Sequence, residues 1–268
     1  ERCGVPPIQP ALDAEDRILG GATAVPGSWP WQAQLRDHLG VYCGGTLISD
    51  QHVLTAAHCL KIYSLRGIYV SLGAHHRTRK EDGEQWLPIE EVCIHPQYDR
   101  TVKAFKVPDI AIVKLRQKVN MTSAIQPACL PKSGDELPAG ETLYVTGWGG
   151  TDGLSRTLSS ELKQAMVKAI PADVCREKWR FPGMSELICA GPEYGSACKG
   201  DSGGPVVRKE DGKWTVRGIV STSPFICGTM FGPQTFVKVS AYTENFIGPY
   251  TDPNTSPDTV RELCRIVK

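Results

Sequence analysis

Ala197-Cys198-Lys199-Gly200-Asp201-Ser202-Gly203-Gly204-Pro205 sets one serine among three glycines, a short way ahead of the β-rich run Trp214–Ser221. Glycine permits a tight loop whose N–H groups converge on one point, as an oxyanion hole requires. Alone, such a cluster is an ordinary turn. Two distant segments change its meaning. His58 lies in Leu54-Thr55-Ala56-Ala57-His58-Cys59, and Asp109 opens the apolar run Asp109-Ile110-Ala111-Ile112-Val113. A carboxylate beside a strand that should be buried needs a hydrogen-bonded partner, because an unpaired buried charge is very costly. A histidine oriented by that carboxylate can take the proton from a serine hydroxyl.

Working outward, short β-rich runs recur between turn signals: Gln32–Leu35, Gly45–Ile48, Ile68–Leu72, Ile110–Leu115, Leu143–Thr146 and Thr235–Val239. With 27 glycines and 20 prolines as punctuation, they predict an all-β barrel or sandwich rather than a helical bundle. The polar stretch Arg116–Pro138 is the expected seam between two halves. Late in the chain, Ser240–Ile247 is expected to be a short helix stopped by Gly248 and Pro249. Ser256 and Pro257 make a good N-cap and first turn. Val260, Leu263, Cys264 and Val267 then fall on one face at helical spacing, which predicts a terminal amphipathic helix.

Composition excludes several function classes. Thirty basic against 29 acidic residues leave a net charge of +1, which argues against a nucleic-acid binder working through a strong positive field. No apolar run approaches the roughly 18 residues of a membrane span. The ten cysteines are scattered and form no Cys-x-x-Cys pair, so five disulfides in an oxidising compartment are the better reading than zinc or redox chemistry. Composition leaves their pairing open among roughly 945 connectivities. Sequons at Asn120 and Asn254 agree with secretion as glycosylation candidates, and Glu1-Arg2-Cys3 reads as the start of a mature chain whose signal has been removed.

Together these segments resemble the chymotrypsin-like serine endopeptidases, which work through a Ser-His-Asp triad. Further marks are Arg17-Ile18-Leu19-Gly20-Gly21, Gly27-Ser28-Trp29-Pro30-Trp31, Cys43-Gly44-Gly45-Thr46-Leu47 and Thr146-Gly147-Trp148-Gly149. The leader Cys3-Gly4-Val5-Pro6-Pro7 is most similar to the chymotrypsinogen, pancreatic elastase and chymotrypsin C group. The resemblance implies two antiparallel β-barrels with a cleft between them, an activation leader at 1–17, a protease domain at 18–250 and a C-terminal extension at 251–268. It also implies Ser202 as nucleophile, His58 as general base, Asp109 as its orienter, and an oxyanion hole of the Gly200 and Ser202 N–H groups. Cleavage after Arg17 by a trypsin-like protease would free the Ile18 ammonium to pair with Asp201. The family frame assigns Cys3 to Cys129, Cys43 to Cys59, Cys175 to Cys189 and Cys198 to Cys227. One pair common in the family is replaced by Leu143 and Arg208. Cys93 and Cys264, which the family does not generally have, are left for each other and should staple the terminal helix to the first barrel.

The same frame places Ser196 at the base of the primary pocket, where trypsin-like relatives carry Asp. It places Ser223 and Gln234 at wall positions that are usually Gly, and gives Ser221, Thr222 and Ser223 to the substrate backbone. These residues imply an elastase-like or chymotrypsin-like preference rather than a trypsin-like one. Expected partners are protein or peptide substrates, an activating protease and protein protease inhibitors, in a secreted, digestive setting without nucleic acid or membrane. No cofactor is implied. Calcium remains the less favoured alternative: Glu81 and Glu84 lie in the stretch matching a calcium loop, but Ala74 stands where that loop would begin with a carboxylate. His75-His76 invites a metal reading, yet adjacent residues diverge on a strand and no third ligand is in view, so surface loop is preferred. The rival of a different class is a protease-like binding protein that has lost activity.

Overall fold

The computed structural model describes residues 2–12, 21–60, 64–98, 108–150, 157–179, 184–191, 197, 200–221 and 233–268. After a two-residue strand, β1 (Ala22–Thr23), the first half holds β2 (Gln32–Asp37), β3 (Gly40–Leu47), β4 (His52–Thr55), β5 (Tyr69–Leu72), β6 (Gln85–Ile94) and β7 (Ala111–Leu115). They pair in the order β6-β5-β2-β3-β4-β7, and β7 returns to β6, closing a six-stranded antiparallel barrel. The second half holds β8 (Thr142–Gly147), β9 (Lys163–Ala169), β10 (Leu187–Gly191), β11 (Pro205–Glu210), β12 (Lys213–Val220) and β13 (Gln234–Lys238). These close as β8-β9-β10-β13-β12-β11 and back to β8, and β1 crosses over to extend β9. Closure leaves no unpaired barrel edge, which is how short strands of modest hydrophobicity hold together. Residues 116–141 join the two barrels.

Period-two burial decides which face each strand turns inward. In β6, Leu87 and Ile89 are buried while Trp86 and Glu90 are exposed. At the seam, Trp29 and Trp214 meet edge to face with centroids 4.8 Å apart, and Trp31 lies 6.0 Å from Trp29. Aromatic pairs of this kind add about 0.5–1.5 kcal/mol beyond their burial. The amides inside the seam are also paired: Trp29 Nε1 donates to Gln164 Oε1 at 2.9 Å and Thr146 Oγ1 to Gln32 Oε1 at 2.6 Å.

The leader is docked rather than loose over residues 2–12. Gly4 N–H donates to Pro127 O, and Trp214 N–H donates to Gly4 O. A side chain at Gly4, whose φ is +68°, would strike the Trp214 backbone, so glycine is required there. The disulfide of Cys3 with Cys129 fastens the same corner. Cys43–Cys59, Cys93–Cys264 and Cys175–Cys189 are also formed; the expected Cys198–Cys227 pair lies outside the described residues.

Two expectations for the C-terminal end need correction. Gly248 and Pro249 do not stop the helical segment. A 3-10 turn (Val239–Ala241) and a single π-helical stretch (Thr243–Ile247) run directly into α2 (Gly248–Thr251), which follows α1 (Ala172–Trp179) in the chain. Pro249 falls in the first turn of α2, where its missing N–H costs nothing. The terminal helix, α3 (Pro257–Leu263), is capped as expected by Ser256, whose Oγ accepts from Thr259 N–H at 3.1 Å. It ends, however, at Leu263. Cys264 is already extended, and β14 (Arg265–Val267) pairs antiparallel with Val92–Ile94 of β6. The disulfide to Cys93 on β6 and the backbone ladder outweigh the helical periodicity.

That pairing generates a prediction. Cys93→Ser together with Cys264→Ser should lower stability by about 2–4 kcal/mol, the usual contribution of a disulfide closing a long loop. Chemical unfolding of wild type and double variant would measure it, and unchanged midpoints would show that β14 docks without the staple.

Candidate active site

The register of the first barrel brings two of the chemical groups together. β4 and β7 pair with Thr55 opposite Ala111, so the residues just past Thr55 and just before Ala111 share one rim. There the chain makes a single 3-10 turn, Ala57–Cys59, closed by Leu60 N–H on Ala57 O and tied to β3 by Cys43–Cys59. His58 sits on this turn, and Asp109 faces it. Asp109 is 1% exposed, and its charge is met by three donors. His58 N–H reaches Oδ1 at 2.8 Å, His58 Nδ1 reaches Oδ2 at 2.7 Å, and Ser221 Oγ donates to Oδ2 at 2.5 Å. A carboxylate only accepts, so Nδ1 is the donor of this bond.

Ser202 comes from the second barrel, on the turn leading into β11. Its carbonyl accepts from Gly44 N–H of β3 at 2.7 Å, while Gly203 N–H donates to Val220 O at 2.7 Å and Gly204 N–H to Asp201 O at 2.9 Å. Gly203 has φ +79°, and a Cβ there would stand 2.5 Å from Gly44 O. Gly200, at φ +106°, would bring a Cβ within 2.8 Å of Leu158. These positions admit only glycine. His58, Gly200 and Ser202 line one cleft of about 440 Å³, with Tyr42, Trp148 and Leu158 around them. Asp201 is buried behind the loop, where Oδ1 accepts from Gly149 N–H at 2.8 Å.

The chain matches the Trypsin family over residues 18–246. It belongs to that family. It is 39% identical over 255 residues to chymotrypsin-C of Bos taurus and of Rattus norvegicus, covering 90% of this chain and 91% of each relative. To chymotrypsin-like elastase family member 3B of Homo sapiens it is 38% identical over 248 residues, covering 88% and 89%. The family member described here is a chymotrypsin-like serine protease, a hydrolase whose substrates are proteins or peptides.

Other expected site residues fall as follows. Gln234 opens β13, and its buried amide is held twice by one residue: Ala197 N–H donates to Oε1 at 3.0 Å, and Nε2 donates to Ala197 O at 2.9 Å. Ser196, Thr222, Ser223, Arg17 and Ile18 lie outside the described residues. The Ser221 side chain supports Asp109, a role that reading Ser221 for its backbone alone missed; a hydroxyl at the end of a buried strand, close to a charge in need of donors, is the available signal. His52 and His95 are held low, at about 4, chiefly by burial. Glu81 Oε2 accepts the N–H groups of His75 and His76, and Glu84 accepts from Ser71 Oγ, Trp86 Nε1 and Glu81 N–H. Among the described residues, no helix is long and apolar enough to cross a membrane.

Proposed function

We propose that the chain is a secreted zymogen that, once cut after Arg17 by a trypsin-like protease, hydrolyses peptide bonds through a Ser202 acyl-enzyme without a cofactor. The observation that carries this reading is the triply bonded Asp109 holding His58 in the same cleft as Ser202. Ser202 Oγ attacks the scissile carbonyl carbon while His58 Nε2 takes its proton. The N–H groups of Gly200 and Ser202 hold the oxyanion. His58, now an imidazolium stabilised by Asp109, gives the proton to the departing amine as the C–N bond breaks. Water then repeats the sequence on the acyl ester and frees Ser202. Ser202→Ala should therefore lower turnover by about 10⁴–10⁶-fold without unfolding the protein. A variant retaining a tenth of wild-type activity would reject the assignment.

Activation follows from the freed Ile18 ammonium pairing with Asp201, which draws the Gly200 loop into shape. Protein protease inhibitors that mimic a substrate strand are the expected natural antagonists. Asn120 and Asn254 are both exposed, as glycosylation acceptors must be. Arg17→Gln should resist activation by trypsin, with activity assayed before and after treatment. Full activity in the uncut variant would contradict the zymogen mechanism.

Specificity is read as elastase-like, for small to medium uncharged residues such as Ala, Val or Leu. Ser196 supplies no counter-charge for a basic side chain, and the Gln234 amide clamped to Ala197 supports a shortened pocket. Peptides ending in Ala, Leu, Phe or Arg at the cleaved position would compare the alternatives. Gln234→Gly should raise kcat/KM for Phe relative to Ala by roughly tenfold or more, the scale of a few added methylenes in a pocket. Wild-type preference for Phe or Tyr would reject the narrowed pocket.

A further inference from the structure

His75 is an anomaly in the first barrel. It is 7% exposed, yet its ring makes no proper hydrogen bond among the described residues. Nδ1 has no partner, and Nε2 stands 3.6 Å from Glu161 Oε1, too far for one. A buried polar group is ordinarily satisfied, and each exception asks for a reason. The Nε2 side is the one that a ligand could complete. His75 and His76 do not diverge: they lie in the loop after β5, their ring centroids 5.2 Å apart, and an isolated antiparallel bridge joins His76 to Glu161. One ligand atom from each of His75, His76 and Glu161 falls within 4.8 Å of the other two.

We propose that His75, His76 and Glu161 form a binding site for a first-row transition-metal ion, Zn²⁺ fitting best, that clips the two barrels together at the edge of the cleft. Two atoms bonded at about 2.0–2.1 Å to a tetrahedral ion stand roughly 3.3 Å apart, close to the separation of His75 Nε2 and Glu161 Oε1. Two imidazoles and one carboxylate suit zinc or copper; calcium takes oxygen ligands. His76 Nε2 lies against the Arg79 guanidinium. Arg79 is exposed and free to be displaced. Glu81 Oε1, 3.8 Å from His76 Nε2, stands ready as a fourth ligand, its other oxygen fixed by two backbone N–H groups.

The site sits across the two halves of the molecule. His75 and His76 belong to the loop after β5, and Glu161 to the approach to β9. Leu162 N–H donates to His75 O at 2.8 Å, Trp148 Nε1 to the same oxygen at 2.9 Å, and Arg77 N–H to Ser160 O at 2.8 Å. Trp148 and Arg77 themselves line the catalytic cleft. An ion here would add side-chain bonds to one centre on top of these backbone hydrogen bonds, holding the Trp148 and Leu158 side of the cleft against the first barrel.

Equilibrium dialysis of the full chain against Zn²⁺, with metal analysis, tests this without reference to catalysis. Wild type should retain one equivalent. Glu161→Gln, whose side chain is 43% exposed, and His76→Ala should each bind about 10–100-fold more weakly or worse, since disturbing even outer contacts of a metal has that effect. His58→Ala should retain its equivalent, which separates this site from the catalytic histidine. Co²⁺ substituted at the site should give the intense visible absorption of a tetrahedral centre, and lose it in Glu161→Gln. Unaltered Zn²⁺ retention in both Glu161→Gln and His76→Ala, loss in His58→Ala alone, or displacement of Zn²⁺ by equimolar Ca²⁺ would overturn the proposal.

Discussion

Gly44 and Gly204 lie back to back between the barrels, and the distance between them governs most of the molecule. A Cβ on Gly44 would stand 2.9 Å from Gly204 Cα, and Gly44 N–H donates to Ser202 O at 2.7 Å. Ser202 is therefore held by a backbone hydrogen bond from the other barrel, as well as by the turn that carries it. Thr55 Oγ1 caps the same junction by donating to Gly44 O at 2.9 Å. Because Thr55 also leads into the His58 turn, one contact fixes both halves of the catalytic geometry. Side chains at Gly44 or Gly203 would push the barrels apart and separate the hydroxyl from the imidazole. The large tryptophan contacts at the seam hold the barrels together, but the missing side chains set how closely they meet.

Much of this was legible from residues alone, and the exceptions share a cause. β2, β5, β7, β8, β12 and β13 announced themselves through β-branched and apolar runs. β6 did not, because Pro88 interrupts it; the strand accommodates Pro88 opposite Tyr69 and absorbs an irregularity between Ile89 and Glu91. β9, with the sequence Lys163-Gln164-Ala165-Met166-Val167-Lys168-Ala169, has little strand propensity of its own and is ordered by β8, β10 and β1 pairing along it. Both are cases where tertiary context overrides a weak local preference. The C-terminal residues failed in the opposite direction. Their helical spacing was real as far as Leu263, but a neighbouring strand and a cysteine claimed the rest.

At the site, the order His58, Asp109, Ser202 was readable because each sits in a distinctive local stretch, and the glycines around Ser202 betray the loop. Contacts made across long sequence distance were not. Nothing adjacent to Ser221 signals that its hydroxyl will meet Asp109, 112 positions away. The Gln234 amide needed partners, but only the fold supplies Ala197 as both donor and acceptor. Near His75 and His76 in sequence no third candidate ligand stands out; Glu161, which lies beside them, belongs to the other barrel. Local sequence exposes groups; the closure of two barrels decides which of them meet.

The staple between Cys93 and Cys264 spans 171 residues, and that separation has a meaning in biosynthesis. A ribosome adding residues at 5–20 per second leaves Cys93 waiting on the order of 10–30 s for its partner to be made. Cys3, Cys43 and Cys59 are already present by then, and five further cysteines follow before Cys264, so any oxidising environment offers Cys93 eight wrong thiols first. The first barrel therefore reaches its final form only after the second has been synthesised, and its correct cross-linking depends on thiol–disulfide exchange remaining possible until the end of the chain arrives.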